Sequence, residues 1–277
     1  MLNRVRLGLL ALMMLARPLS AEECAARDFL ALELPGARVS PVKYALETAY
    51  PGLEVDLLEG VVRFADGTAL PLGQVRGDDP RGMLAGGSIL EQFHYPYPLD
   101  FDLNARAQPW MDPGRVRNDA FFRALWFGRE GAARDSLRRV VYPGKGRAGF
   151  HMSVKHGAAC QLAAALDEIA ASPDAGHPSL RGVGGSYNWR VIAGPDRLSA
   201  HSFGIALDLN TKYGGFWRWG GEPEGQVGEY RNGIPEGVVR ALERYGFIWG
   251  GKWHHYDGMH FEYRPELILY ARLTGGA

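Results

Sequence analysis

Between residues 204 and 210 the sequence GIALDLN alternates, and alternation is what a strand imposes, because successive side chains leave opposite faces of the backbone. Ile205, Leu207 and Leu209 form an apolar face, while Ala206, Asp208 and Asn210 form the other. GMHFEY, at 258–263, repeats the design: Met259, Phe261 and Tyr263 share one face, His260 and Glu262 the opposite one. Two such strands need a core behind them and can display chemistry in front. If they share a sheet, Asp208 and His260 converge, and His201, at the start of the first strand, completes a cluster.

Around these strands the period becomes helical. The stretch from Met152 to Ser172 predicts a long helix with Val154, Ala158, Leu162, Ala165 and Ile169 along one face. PEGVVRALERYGF predicts another, with Pro235 in its first turn, Val238, Leu242 and Tyr245 on one face and Gly246 at its end. VVRFADGTALPL reads as two strands about an Asp-Gly turn. Short strands among separate helices argue for an α+β domain. Residues 76–115, rich in Gly, Pro, Asp and aromatic side chains, read as irregular structure wrapped on another surface. They mark an N-terminal accessory region, 22–115, ahead of a domain spanning 116–277. His151 and His156 read as structural.

Thirty-one basic residues balance thirty-one acidic ones, so no charge field favours nucleic acid or an anionic membrane surface. The N-terminus has the basic MLNRVR, the apolar LGLLALMMLA and the small-residue end RPLSA of a secretory signal peptide, 1–21, cut after Ala21. That apolar run is half of the about twenty residues a membrane-spanning helix needs. The expectation is an exported protein, periplasmic or extracellular, with no stable membrane insertion after cleavage. In an oxidising compartment Cys24 and Cys160 are candidates for a disulfide.

Two imidazoles and one carboxylate are a donor set that catalytic zinc uses, the fourth position staying open for water. His201, Asp208 and His260 supply that set. Asp257, three residues before His260, is placed to act as a base, although Asp-Gly also closes turns. Arg190 is the best cation for a substrate carboxylate or an oxyanion. Glu262 can hydrogen-bond His260 or form an ordinary salt bridge. His254 and His255 read as loop or rim residues. Ser199 and Ser202 invite a serine-hydrolase reading, but no G-x-S-x-G elbow accompanies them. Tyr213, Phe216, Trp217 and Trp219, among glycines, suit either a wall over a glycan or peptide groove or packing onto their own domain.

SAHSFGIALDLN fits the pattern S-x-H-x-x-G-x-A-x-D, and DGMHFE the later D/E-x-x-H element, of the zinc D-Ala-D-Ala peptidase family. That family includes vancomycin-resistance-type D,D-carboxypeptidases and dipeptidases and phage L-alanyl-D-glutamate endopeptidases. Residues 146–265 resemble the branch with the phage enzymes and VanY-like proteins. The resemblance implies a hedgehog/D,D-peptidase-like antiparallel sheet with flanking helices, and Zn2+ held by His201, Asp208 and His260. It further implies Asp257 as general base, Arg190 polarising or anchoring the substrate, and Ser199 against the substrate site. The implied substrate is the peptide stem of peptidoglycan, cut at a D-Ala-D-Ala or an L-Ala-D-Glu bond. The alternative from another class is a catalytically silent zinc-containing cell-wall-binding protein. The N-terminal segment is an addition that the compact phage domains lack.

Overall fold

The computed structural model describes residues 25–275 apart from 37, 38, 78, 105, 107 and 194–196. The leader expected at 1–21 and the Cys24 partner of the expected disulfide lie outside the described residues; Cys160 is not a free thiol. Among the described residues no helix is long and apolar enough to cross a membrane.

The N-terminal part carries α1 (Pro41–Ala49), the antiparallel strands β1 (Glu54–Asp56), β2 (Val61–Arg63) and β3 (Ala69–Pro71), and α2 (Pro80–Gly86). Next come α3 (Asp119–Leu125), α4 (Glu130–Asp135), the hairpin of β4 (Leu137–Val141) and β5 (Gly149–Ser153), and α5 (Ala158–Ala170). The last third holds β6 (Val191–Ala193), β7 (Arg197–Leu198), β8 (Ala206–Asp208), α6 (Thr211–Gly214), α7 (Glu236–Arg244), β9 (Phe247–Trp249), β10 (His260–Tyr263) and α8 (Pro265–Thr274). Helices mixed with small antiparallel sheets make the fold α+β.

The sheet that matters has the order β8-β10-β9, with β10 in the middle and both pairings antiparallel. Its register sets His260 against Asp208, Phe261 against Leu207 and Glu262 against Ala206. Ile205, Leu207, Leu209, Phe261 and Tyr263 are buried, as the alternation requires. Fully burying side chains of this size is worth about 1.5–3 kcal/mol each, which fixes the register, since a one-residue slip would exchange them with the polar side chains of the other face.

The expected helix after Met152 starts later than its periodicity suggests. His156 (φ 50) and Gly157 (φ 78) both have left-handed backbone, so α5 begins at Ala158 and Val154 is left outside it and exposed. Within α5 the face of Ala158, Leu162, Ala165 and Ile169 is buried, packed on α7 and the β4–β5 hairpin. Pro235 precedes α7 as its N-cap, and Gly246 ends the turn beyond it with φ 92. A Cβ at Gly246 would lie 2.8 Å from the Tyr263 ring and 3.1 Å from Phe29, so that turn admits no side chain.

The N-terminal region joins the same core. α1 packs along α8, the Phe29 ring meets Tyr263 edge-on, and the Tyr50 hydroxyl donates to Glu266 Oε2. The irregular segment after α2 is held at Tyr97, whose hydroxyl accepts from Trp249 N at 2.9 Å and donates to Glu243 Oε1 at 2.5 Å.

Glu91 anchors the loops around α2. Its fully buried carboxylate accepts from Arg76 N, Nε and Nη2 and from Ser88 N at 2.8–3.0 Å. Burial pushes this carboxyl up, but the bonds from Arg76 and Ser88 outweigh it and hold it down at about 2. A folded-state value below the unfolded one gives stability that is complete above the unfolded pKa and lost as pH falls toward the folded one. Half of Arg76 is in water, which screens the pair and limits the contribution. Thermal unfolding of Glu91→Gln is therefore expected several degrees below the parent at pH 7, with the gap closing between pH 4.5 and 2.

Candidate functional site

His201 lies in a single 3-10 turn, Ala200–Phe203, whose cap is Ser199: the Ser199 hydroxyl accepts from His201 N at 3.4 Å. The turn closes at Gly204, in the left-handed region at φ 66, where a Cβ would come within 2.6 Å of Leu137 Cδ2. The Gly204 carbonyl accepts from Ser153 N at 2.8 Å and thereby ties the turn to β5. Asp208 ends β8, its N–H donating to the Gly185 carbonyl at 2.8 Å. His260 opens β10 directly opposite.

These three side chains meet. His201 Nε2 lies 3.2 Å from His260 Nδ1 and 3.4 Å from Asp208 Oδ1, and His260 Nδ1 lies 3.1 Å from Asp208 Oδ1. His201 Nδ1 donates to the Ser186 carbonyl, and His260 Nε2 faces Glu262 Oε2 at 3.4 Å. With their outer nitrogens so engaged, each ring turns its remaining nitrogen inward beside the carboxylate oxygen. Three such atoms at this spacing need positive charge among them, which protons on the imidazoles supply, or a metal ion once those protons are lost. A tetrahedral zinc with bonds of about 2.0–2.1 Å would set its donors about 3.3 Å apart, the spacing found here, so the donor set fits that ion. Among the described residues this is the one group of three or more His, Cys, Asp or Glu able to hold a metal.

Proton affinities show the same crowding. Burial opposes the charged forms of both Asp208 and His260, yet each stabilises the other. Hydrogen bonds from the two imidazoles hold Asp208 well below the usual carboxylate range, and bonds to Asp208 and Glu262 push His260 up to about 10.

Behind His260 runs a line of buried charge. Glu262 Oε1 lies 3.3 Å from Arg264 Nη1 and 3.9 Å from Arg117 Nη1, and Arg264 Nε donates to Glu266. Two carboxylates thus balance two guanidinium groups. Burial would raise the Glu262 carboxyl, but His260 and the two arginines keep it at about 2, an anion that orients the imidazole.

Asp257 lines the same cleft. Its backbone is fixed by Asp257 N to Gly250 O at 2.9 Å and by His260 N to Asp257 O at 3.0 Å, while Oδ1 is buried without a hydrogen-bond partner. Burial raises its pKa above the ordinary value. Arg190 also lines the cleft; its side chain is exposed and has no ion pair among the described residues. Ser199 caps the His201 turn, and the Ser202 hydroxyl bonds to Arg190 N, Arg190 O and Asn188 O, so both serines hold backbone.

His254 and His255 lie in the loop before β10, as expected, and His255 lines the cleft, but both are buried. His254 N donates to Met111 O, and His255 pairs with Asp112 (Nδ1 to Oδ2, 2.6 Å) while its Nε2 accepts from Gly225 N at 2.9 Å. They bolt the accessory segment and the 211–233 insertion to the site. Phe216 and Trp217 of that insertion line the cleft, and Trp219 is 63% exposed beside them.

The cleft has a volume of about 710 Å³, within the range of ligand sites. Arg81, Arg115, Arg117, Arg190, Arg197 and Arg218 line it, and the first three come from the sequence before α3. Sequence reasoning had singled out Arg190 alone. The closely spaced Arg115 and Arg117 in DPGRVR were the available signal for two of the others.

A family model described as D-alanyl-D-alanine carboxypeptidase matches residues 193–263. The matched segment runs from β6 to β10 and contains His201, Asp208, Asp257 and His260. It supports that family and a peptidase activity for this part of the chain. No curated protein and no solved structure matches.

The geometry predicts one zinc per chain by elemental analysis of the metal-loaded protein. Alanine at His201, Asp208 or His260 is expected to abolish stoichiometric binding. Glu262→Gln, which removes the charge behind His260 and leaves Arg117 and Arg264 short of a partner, should weaken zinc affinity about 10–100-fold in a competition titration of the folded protein.

Proposed function

We propose that this chain is an exported zinc metallopeptidase that hydrolyses the peptide stems of peptidoglycan, at a D-Ala-D-Ala or an L-Ala-D-Glu bond. The observation that carries the reading is the triangle of His201, Asp208 and His260 at 3.1–3.4 Å, in one cleft with the half-buried Asp257 carboxylate. The match over 193–263 supports the family, and with it a hedgehog/D,D-peptidase-like fold for residues 116–277. Residues 22–115 are then an accessory region that completes a wall of the cleft.

His201, Asp208 and His260 would hold the metal, with Glu262 and the Ser186 carbonyl fixing the two rings. Zinc so held supplies Lewis acidity and makes water a nucleophile near neutral pH. Asp257 Oδ1 takes the proton of the attacking water and passes it to the leaving amine as the C–N bond breaks. Its unpartnered oxygen and its burial-raised proton affinity suit both steps. Arg190, on the cleft wall, anchors a substrate carboxylate or polarises the scissile carbonyl, and Ser199 keeps His201 in place at the substrate site. A catalytically silent cell-wall-binding protein would leave the buried Asp257 oxygen without a use.

Mass spectrometry of defined stem peptides incubated with the zinc-loaded protein is expected to show cleavage that chelation abolishes and zinc restores. Asp257→Asn should lower kcat about 10²–10⁴-fold with zinc content unchanged. Full activity in that variant would remove Asp257 from the base role.

A further inference from the structure

Three arginines of the cleft wall have chemistry that the hydrolytic step does not use. Arg115 and Arg117 come from the segment before α3, Arg197 from β7, and none of the three is needed to hold the metal. Each is tied down by backbone carbonyls. Arg197 Nη1 and Nη2 donate to Leu84 O and Arg115 O, Arg117 Nη2 to Leu198 O at 2.9 Å, and Arg115 Nη2 to His255 O at 2.7 Å. The three guanidinium groups are therefore held close together in fixed orientations.

Each also keeps a buried nitrogen with no hydrogen-bond partner: Arg115 Nε, Arg117 Nη1 and Arg197 Nε. Arg117 as a whole is only 5% exposed. Those buried nitrogens lie out of reach of a ligand, so it is the partly exposed remainder of Arg115 and Arg197, on the cleft wall, that carries positive charge into the cleft. Their own carboxylates do not suffice. Among the described residues the one ion pair that any of the three makes is Arg117 to Glu262 at 3.9 Å, and Glu262 is shared with Arg264 and His260. Burial and then repulsion from Arg117 pull Arg197 down to about 10, which still leaves it charged at neutral pH.

We propose that Arg115, Arg117 and Arg197 form an anion subsite that takes a free carboxylate of the peptide substrate, distinct from any group engaged by Arg190. Planar guanidinium forks match a carboxylate in charge and geometry. The proposal rests on the peptidase reading for the identity of its ligand, and it gives the accessory region a function: selecting peptides that carry an acidic group at a set distance from the scissile bond.

The test uses the full zinc-loaded chain and one defined stem peptide, prepared as the free acid and with each carboxylate in turn converted to the amide. Cleavage is followed as kcat/KM, and binding by calorimetry on Asp257→Asn. One amidation is expected to lower kcat/KM at least about tenfold in the parent, mostly through KM, and to weaken binding equally. In Arg197→Gln the same amidation should cost less than about threefold, because the group that reads the charge is gone. Arg197→Lys, which keeps the charge but not the fork, should fall between them. The comparison of peptides on the unmutated protein stands even if a variant fails to fold. Equal binding of acid and all amides overturns the subsite, as does an amidation penalty that Arg197→Gln leaves unchanged. If no peptide is cleaved but one amidation still weakens binding, the subsite stands and the peptidase reading falls.

Discussion

Asp208 and His260 face each other across the β8–β10 ladder, and the rest of the site depends on that pairing. Directly opposed residues on antiparallel strands have Cβ atoms about 4.5–5.5 Å apart, close enough for the two side chains to converge on one point. The apolar side chains behind them hold the register. A slip of one residue would exchange Leu207 with Asp208 and force a carboxylate into the apolar core. Core packing and site geometry are thus one constraint, and His201 is added to it by a turn that only glycine at 204 can close.

Buried charge extends this constraint through the molecule. From His260 the line passes to Glu262, then to Arg117 and Arg264, then to Glu266 and the Tyr50 hydroxyl on the far side of the core. Removing one member of such a chain strands its neighbour as an unpaired buried ion, a far larger penalty than the loss of an exposed pair. This explains how the accessory region and the last helix, although remote in sequence, bear on the orientation of one imidazole. Arg117 belongs both to this line and to the cleft wall, whereas Arg115 and Arg197, beside it in the wall, have no carboxylate partner among the described residues.

Much of this was legible in the sequence where chemistry and periodicity coincide. Strict alternation in GIALDLN and GMHFEY gave the strands, their buried faces and the polar faces that carry Asp208 and His260. The Asp-Gly turn between β2 and β3 and the faces of α5 and α7 were legible for the same reason. The start of α5 was not, because the left-handed conformations of His156 and Gly157 depend on the packing of His156 against Tyr50 and Trp126. The burial of His254 and His255 was also hidden, since it arises from Asp112 and Gly225, partners with no local signature. Arg197 was hidden for a related reason, and the Arg115–Arg117 pair was only a weak signal: arginines in a chain of zero net charge look like solvated surface until the fold gathers them.

X-ray absorption at the zinc edge of the metal-loaded protein tests the central claim most directly, because it reads the donor set itself. The account predicts a four-coordinate, sulfur-free shell at about 2.0–2.1 Å with the outer-shell scattering of two imidazole rings. A shell containing sulfur, one with fewer than two imidazoles, or one of six oxygen donors would contradict it.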